Sequence, residues 1–434
     1  MERFYVTTLH DEARSLREAM VEQLRSLDGI RSEAVAVAFR AVPRHVFAPG
    51  APLVQVYEAT TTVWPKHDGT GRMVSTVSAA HIQAVQLEQA EVRPGMRVLE
   101  IGSGGYNAAL LASLVGVEGE VTSVDIDPEI VDRARACLDA AGFDRVRTVV
   151  ADGDNGVPEH GPYDRIVVTA RSWDIPPGWV AQLAPGGRIV VPLRLGTMTR
   201  SVALDRTDGV GALLAGGDAR LCSFVPMQGA GAHEDQIGLL PDTALGGEAG
   251  PGRVQLRADA HSTDDDLARL MSVIGAAITG PTRHRPVTVW TGVKFDHVDD
   301  LDLWLGLRLP AAGILTADRE ITATGHPTSI TRAGAPALVS DGGFAYRTKR
   351  TIPDAARFET GVLAWGRDAA DLAARYAHTV TEWGQYRAGG GRGPGLQVLP
   401  ARTPIEPDPR HRVLDKNHTR IVVSWPTAPD PMSS

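Results

Sequence analysis

The spacing of apolar positions changes along the chain. From about His10 to Leu27, Leu16, Met20, Leu24 and Leu27 fall on one helical face, which predicts an amphipathic helix. Ser32 and Glu33 open a second helix, and Pro43 stops it. Tyr57 to Met73 contains Pro65, Gly69 and Gly71 and reads as a loop, placed to form part of a substrate rim. Helical spacing returns from Ala79 to Gln89, with Ile82, Val85, Gln86 and Gln89.

From Arg97 onward, short apolar runs alternate with helical stretches. Strands are predicted at Arg97–Ile101, Glu120–Val124, Val146–Val150, Arg165–Thr169 and Arg188–Pro192. Between them lie helices over Tyr106–Val115, Asp127 to about Ala141, and Pro176–Leu183; Asp127 is a cap and Pro128 fits the first helical position. Repeated β-α-β units imply an α/β fold, a parallel doubly wound sheet with helices on both faces. Ser201–Asp205 and Leu221–Pro226 are further strands that could finish the sheet. The stretch from Gly229 to Gly252, rich in glycine and alanine, reads as a linker. The expected division is therefore residues 1–230, a linker at 231–252, a C-terminal α+β region at 253–426 and a disordered tail at 427–434. In the C-terminal region helices are expected at Thr263–Ile278, Val298–Leu307 and Asp368–Trp383. Strands are expected at Val287–Trp290, Phe344–Arg347, Val362–Trp365 and Arg420–Trp425. Trp290, Trp304, Trp365, Trp383 and Trp425 are expected in its core rather than on a binding surface.

Composition narrows the class. A chain of 434 residues suggests two or three domains. A net charge of -8 gives no nucleic-acid footprint. Two cysteines, Cys137 and Cys222, make neither a disulfide framework nor a zinc cluster, so both are expected as buried thiols and no metal is expected. There is no apolar signal core at Met1–Phe4 and no membrane-length apolar run, so the cytoplasm is the expected location. Oligomeric state is not legible.

Two stretches carry chemistry. A strand ends in Glu100-Ile101, then Gly102-Ser103-Gly104-Gly105 leads into a helix. Glycines let backbone approach a ligand, and the helix start offers free N–H groups. Asp125 ends the next strand, where an acidic residue reaches ribose hydroxyls; Asp152-Gly153 ends the third and is placed to line an adenine pocket. On these residues alone, S-adenosylmethionine and a dinucleotide both remain open. The second stretch is Thr76-Val77-Ser78-Ala79-Ala80-His81, in which Ser78 reads locally as a helix cap.

From Val37 to Gln228 the chain resembles the protein-L-isoaspartate O-methyltransferase family. Val42-Pro43-Arg44-His45-Val46-Phe47 looks like its early Val-Pro-Arg-His segment, and Thr76-Val77-Ser78 like its Thr-Ile-Ser signature. Val98-Leu99-Glu100-Ile101-Gly102 resembles the start of its cofactor motif, and Asp152-Gly153 the end of its Gly-Asp-Gly step. Tyr163–Ala170, Leu183–Arg188 and Phe224-Val225-Pro226 resemble its later motifs. The turn Gly-Ser-Gly-Gly-Tyr-Asn is one residue shorter than the family's usual one, and a long extension follows Gly229. Both features resemble a longer branch associated with ribosomally made, modified peptides, lanthipeptides in particular.

The resemblance implies a Rossmann-like class I methyltransferase sheet and S-adenosylmethionine as cofactor. It implies Ser78 and Thr76 as catalytic residues. Cofactor contacts are implied for Thr76, Val77, Ser78, Glu100, Gly102, Ser103, Gly104, Tyr106, Asn107, Asp125, Ile126, Asp152, Gly153 and Thr169. Val77, Gln83, Arg171 and Gln228 are expected on the substrate side. The implied activity is methylation of an aspartyl carboxylate in a modified precursor peptide, leading through a succinimide to isoaspartate. The alternative is repair of isoaspartyl proteins. A third reading, from another class, is a peptide-binding protein with a vestigial cofactor site. The C-terminal region is expected to clamp the peptide.

Overall fold

The computed structural model describes residues 2–102, 104–207, 213–216, 218–240, 254–258, 263–279, 286–295, 299–317, 334–352 and 358–426. Ser103, most of the expected linker and the tail at 427–434 lie outside these residues.

Helices α1 (Glu2–Ser26) and α2 (Glu33–Ala41) open the chain, α2 being capped by the Ser32 hydroxyl on Val35 N–H. A hairpin follows, β1 (Val63–His67) with β2 (Met73–Val77), then α3 (Ala80–Ala90). The hairpin corrects the expected loop over Tyr57–Met73. Pro65 and the glycines hide it from pattern reading because the strands are irregular: Trp64 sits at φ 55° and the register slips twice. Helix α3 also starts later than expected, with Ala79 rather than Ser78 at its cap and no side-chain capping bond.

The alternating segment folds as its pattern predicts. β3 (Arg97–Ile101), α4 (Tyr106–Val115), β4 (Glu120–Asp125), α5 (Pro128–Ala140), β5 (Arg147–Val150), β6 (Tyr163–Val168) and β7 (Leu183–Leu195) follow in order. β3 pairs in parallel with β4 and β6, β4 with β5, and β6 with β7. Asp127 caps α5 by accepting from Glu129 N–H, with Pro128 at the first helical position. β8 (Met198–Arg206) turns back antiparallel on β7, and β9 (Leu213–Gly216) pairs with β8. This is the expected Rossmann-like, doubly wound parallel sheet, with an antiparallel addition at one edge. Of the expected Leu221–Pro226 strand, Leu221 pairs with β8 beside Arg220, and Pro226 forms an isolated parallel bridge with Arg171.

The extension forms a second sheet from β10 (Ile237–Leu240), β11 (Val254–Ala258), β12 (Val287–Phe295), β13 (Ala311–Ala317), β14 (Ala335–Ser340), β15 (Gly343–Thr351) and β16 (Phe358–Gly366). Its order is β10-β11-β13-β14-β15-β16-β12, all antiparallel. Helices α6 (Asp264–Thr279), α7 (Asp299–Arg308) and α8 (Ala369–Ala388) pack with it. β10 lies within the stretch expected to be linker. The chain then returns to the first sheet: β17 (Gly395–Pro400) pairs with β9, β19 (Thr419–Ser424) with β17, and β18 (His411–Asp415) with β19. Sheet membership thus crosses the expected boundary at 253.

The core follows the same route. One buried apolar cluster runs from Leu99, Ile166 and Val191 of the first sheet through Leu301 and Leu305 of α7 and Tyr376 of α8 to Trp425. Trp304, Trp365, Trp383 and Trp425 are buried, while Trp290 is exposed under the Arg350 guanidinium. The other face of the first sheet packs on α1, α2 and α4. No described helix is long and apolar enough to cross a membrane.

Candidate active site

The C-terminal ends of β3, β4 and β6 open on a cavity of about 650 Å³. In parallel sheets this is where ligands collect. Its floor is the turn after β3. Gly102 sits at φ 98°, and a Cβ there would lie 2.5 Å from Thr169 Oγ1, so this position admits only glycine. Thr169 Oγ1 in turn lies 2.7 Å from the Gly102 carbonyl oxygen and locks the turn to β6. Gly105 enters α4 at φ 82°, where a Cβ would come within 3.1 Å of Phe47 and 3.2 Å of Ala134. That close packing against Phe47 and α5 accommodates the short turn.

Glu100 is fully buried beneath this turn. Burial lifts its pKa to about 7, opposed by the Ser123 hydroxyl, which donates to its Oε2, and by the adjacent Asn107 amide, which approaches it without well-formed hydrogen-bond geometry. Its Oε1 and both amide atoms of Asn107 are buried without a hydrogen-bond partner among the described residues. Both residues line the cavity, as do Gly104, Tyr106, Asp125, Ile126 and Gly153. A buried polar atom without a partner is costly, so this cluster calls for a ligand bearing donors and acceptors. Asp152 is not in the lining. Its carboxylate accepts from Asp154 N–H and Ala230 N–H, holding the turn at Gly229–Gly231.

The other side of the cavity is the Thr-Val-Ser segment. The Thr76 hydroxyl donates to the Val63 carbonyl across the hairpin, so Thr76 offers the cavity its backbone. Val77 is buried against the core. Ser78 Oγ makes no hydrogen bond among the described residues, while its carbonyl accepts from Arg44 Nη2 at 2.7 Å. Arg44 is the residue that pattern reading missed. It is fully buried, donates through Nε to the Val56 carbonyl and through Nη1 to Gln83 Oε1 at 2.9 Å, and stacks 4.8 Å from the Tyr106 ring centre. Among the described residues no carboxylate pairs with it. Burial pulls its pKa down, with Tyr106 and Tyr57 opposing, but a guanidinium keeps its charge in proteins. Because Arg44 claims the Gln83 oxygen, the Gln83 Nε2 donor is the group left for the cavity.

The third wall comes from beyond Gln228. Gln228 Nε2 lies 3.5 Å from the Val74 carbonyl, and Glu234, Asp235 and Ile237 line the cavity. Asp235 Oδ2 accepts from Arg171 Nη1 at 2.6 Å. The residues after Arg171 are tied down as well. Trp173 stacks on His233 with ring centres 3.9 Å apart and lies under Lys416 Nζ at 3.0 Å; Asp174 accepts from His418 N–H and Thr419 Oγ1. Over the cofactor side, Lys66 of the hairpin pairs with Asp127 and Glu129, and Arg133 stacks on Trp64 at 3.7 Å. Cys137 is buried as expected, whereas Cys222 is only partly buried, its thiol pushed up to about 12 by the desolvation it does undergo. Neither cysteine lines the cavity. Among the described residues no group of His, Cys, Asp and Glu could hold a metal.

The sequence profile for protein-L-isoaspartate(D-aspartate) O-methyltransferase (PCMT) matches residues 14–231. The chain belongs to this family. A protein-L-isoaspartate O-methyltransferase of Methanopyrus kandleri is 41% identical over 220 residues, which is 50% of this chain and 92% of that one. The protein-L-isoaspartate O-methyltransferase 2 of Archaeoglobus fulgidus is 42% identical over 178 residues, 41% of this chain and 78% of that one. A protein-L-isoaspartate O-methyltransferase of Methanoculleus marisnigri is 42% identical over 221 residues, 50% and 94% of the two chains. The activity is carboxyl O-methyl transfer to a peptide or protein, with S-adenosylmethionine as cofactor. The orphaned polar atoms of Glu100 and Asn107, the Gly102 cradle and Asp125 at the end of β4 fit that group.

Proposed function

We propose that this PCMT methylates an aspartyl side-chain carboxylate in one ribosomally made, modified peptide of lanthipeptide type. The observation that carries this reading is the third wall. Glu234, Asp235 and Ile237 lie past residue 231, where the family match ends, yet they line the same cavity as Ser78 and Gln83. An enzyme that repairs many unrelated proteins gains nothing from a wall built by an extension; one defined peptide can be gripped by it. Repair of isoaspartyl proteins is the second reading, favoured by the 41% identity to an archaeal enzyme of that name.

S-adenosylmethionine, when bound, supplies an electrophilic methyl group; Glu100, Asn107, Gly104 and Asp125 would hold it. The acceptor carboxylate, with a pKa of about 4, is ionised at neutral pH and needs no general base. The protein's task is orientation and exclusion of water. Ser78 Oγ and Gln83 Nε2 donate to the carboxylate, with Thr76 and Val77 presenting backbone beside them. Arg44 holds the Gln83 amide in that sense and adds positive potential where the anion must sit. Val77, Ile82 and Phe224 keep that end of the cavity apolar. The ester then closes without the enzyme. The next residue's backbone nitrogen bonds to the ester carbon, methanol leaves with the amide proton, and water opens the succinimide to isoaspartate.

The test is a specificity ratio: kcat/KM for the aspartyl form of the modified peptide encoded beside this gene, against a generic isoaspartyl peptide. A ratio well above one supports maturation. A ratio well below one returns the enzyme to repair.

A further inference from the structure

We propose that the outer part of the cavity, between the hairpin and the extension, is an apolar subsite that takes a large aliphatic side chain of the peptide a few residues from the methylated aspartate. This rests on the reading that the cavity accepts a peptide. Met73 opens β2 on the hairpin wall, and Ile237 opens β10 on the wall built by the extension. Both line the cavity. Met73 is 36% exposed and Ile237 50%, so two large apolar side chains meet water from two walls of one site. The walls come together at this level. Arg72, next to Met73, has its Nη1 4.0 Å from Glu234 Oε1, and Gln228 Nε2 lies 3.5 Å from the Val74 carbonyl. Met227, just before Gln228, adds a third apolar side chain to the same lining.

Strand alternation sets these side chains where they are. In β10, Gly238 lies against Leu267 and Met271 of α6 and Leu240 against Gly275, which leaves Ile237 on the opposite face. Burial deepens along β2 from exposed Met73 to buried Val77, so Met73 stands at the outer end and Ser78 follows the inner one. Apolar surface kept in water inside a concave site is relieved by an apolar partner. Methionine adapts its three rotatable bonds to what it covers, so the subsite selects apolar character and size rather than one shape. Ser78 follows Met73 by five positions, about 16 Å at a strand's rise per residue. An extended peptide spans that distance in about three to five residues, allowing for side-chain reach. The recognised side chain therefore lies several positions from the aspartate and not beside it. Ile237 lies past residue 231, where the family match ends, so this selectivity belongs to the extension.

The test uses two peptide series, one with a central aspartate and one with a central isoaspartate, each flanked by six residues on either side. The flanks are serine and glycine except for one leucine, moved through every position in turn. Methyl transfer gives KM and kcat, and fluorescence anisotropy of labelled peptides gives Kd, with and without added sulfate. Covering a leucine from two walls predicts about a tenfold preference over serine at a position about three to five residues from the acceptor. It should appear in KM and Kd rather than kcat. Sulfate should keep or strengthen it, because sulfate favours apolar burial and screens ionic contacts. Ile237→Gln should remove most of the preference and Met73→Gln should reduce it; both side chains are exposed, so neither exchange opens a hole in the core. The wild-type comparison needs no variant at all. If only the modified peptide encoded beside this gene reacts, the reverse exchange, each large aliphatic residue to serine, is read in it. A preference undiminished in both variants, or equal KM and Kd for leucine and serine at every position with methylation intact, would overturn the subsite alone. Failure to bind or methylate any of these peptides, with S-adenosylmethionine still bound, would sink the peptide reading and the subsite with it.

Discussion

Gln83→Glu puts a carboxylate beside a buried cation, Arg44, that has none among the described residues. The substituted oxygen would sit about where Gln83 Oε1 now lies, 2.9 Å from Arg44 Nη1. At a charge separation of about 4 Å and an effective dielectric of about 20, the attraction is roughly 4 kcal/mol. Desolvating the new carboxylate costs several kcal/mol, but Arg44 is already desolvated in the native protein, so that half of the usual penalty is not incurred again. The balance is a stabilisation of roughly 1 kcal/mol, or a melting temperature a few degrees higher. The acceptor fares worse. It loses a donor worth about 1.5–3 kcal/mol to a charged partner and meets a like charge instead. kcat/KM should fall at least about a hundredfold. Differential scanning fluorimetry and a methyl-transfer assay read the two effects. A control, Gln83→Met, leaves Arg44 Nη1 unbonded and should lower both stability and activity. A Q83E protein that melts earlier than wild type would refute the claim that Arg44 lacks a counter-ion. One that keeps normal kcat/KM would refute contact between Gln83 and the acceptor.

Other outcomes follow from the same geometry. Ser78→Ala removes an uncommitted hydroxyl and should lower kcat/KM about 10–100-fold while circular dichroism stays unchanged. Gly102→Ala drives a Cβ onto Thr169 Oγ1 at a left-handed position and should weaken S-adenosylmethionine binding, read by calorimetry, along with a lower melting temperature. Glu100 carries a pKa raised to about 7, so it favours folding below its unfolded pKa of about 4.3, and that contribution is lost as pH rises towards 7. Stability without cofactor should therefore decline across that window, and E100Q should flatten the decline. Truncation after Pro394 removes Leu396, Val398, Ile421 and Val423, all buried, at about 1.5–3 kcal/mol each. The shortened chain should be insoluble or unfolded in a solubility and circular-dichroism test.

Much of the catalytic sheet was legible because each strand and helix there announces itself locally. Asp127-Pro128 starts α5 as its chemistry requires, and the β-α-β alternation implies the parallel order. The hairpin was not legible, because Pro65 and a left-handed Trp64 break the alternation by which strands are recognised. The return of β17 to β9 was not legible for another reason. Periodicity tells which face of a strand is buried and says nothing about which distant strand lies beside it. The site divides likewise. Gly102 and Asp125 sit at strand ends whose pattern carries their chemistry, whereas Ser78 is marked only by its resemblance to the family's Thr-Ile-Ser signature. Arg44 stood in a quoted motif, yet its burial without a counter-ion emerges only when α2, α3 and α4 pack around it. No sequence signal marks Asp235, which reaches the cavity because the extension crosses its mouth.

The most direct test of the central claim is intact-mass analysis of an all-L-aspartyl modified peptide, encoded beside this gene, incubated with enzyme and S-adenosylmethionine. The account predicts gain of one methyl on an aspartate, followed by a product lighter than the starting peptide by one water. Methylation only of a peptide that already contains isoaspartate, with the aspartyl peptide unchanged, would contradict it.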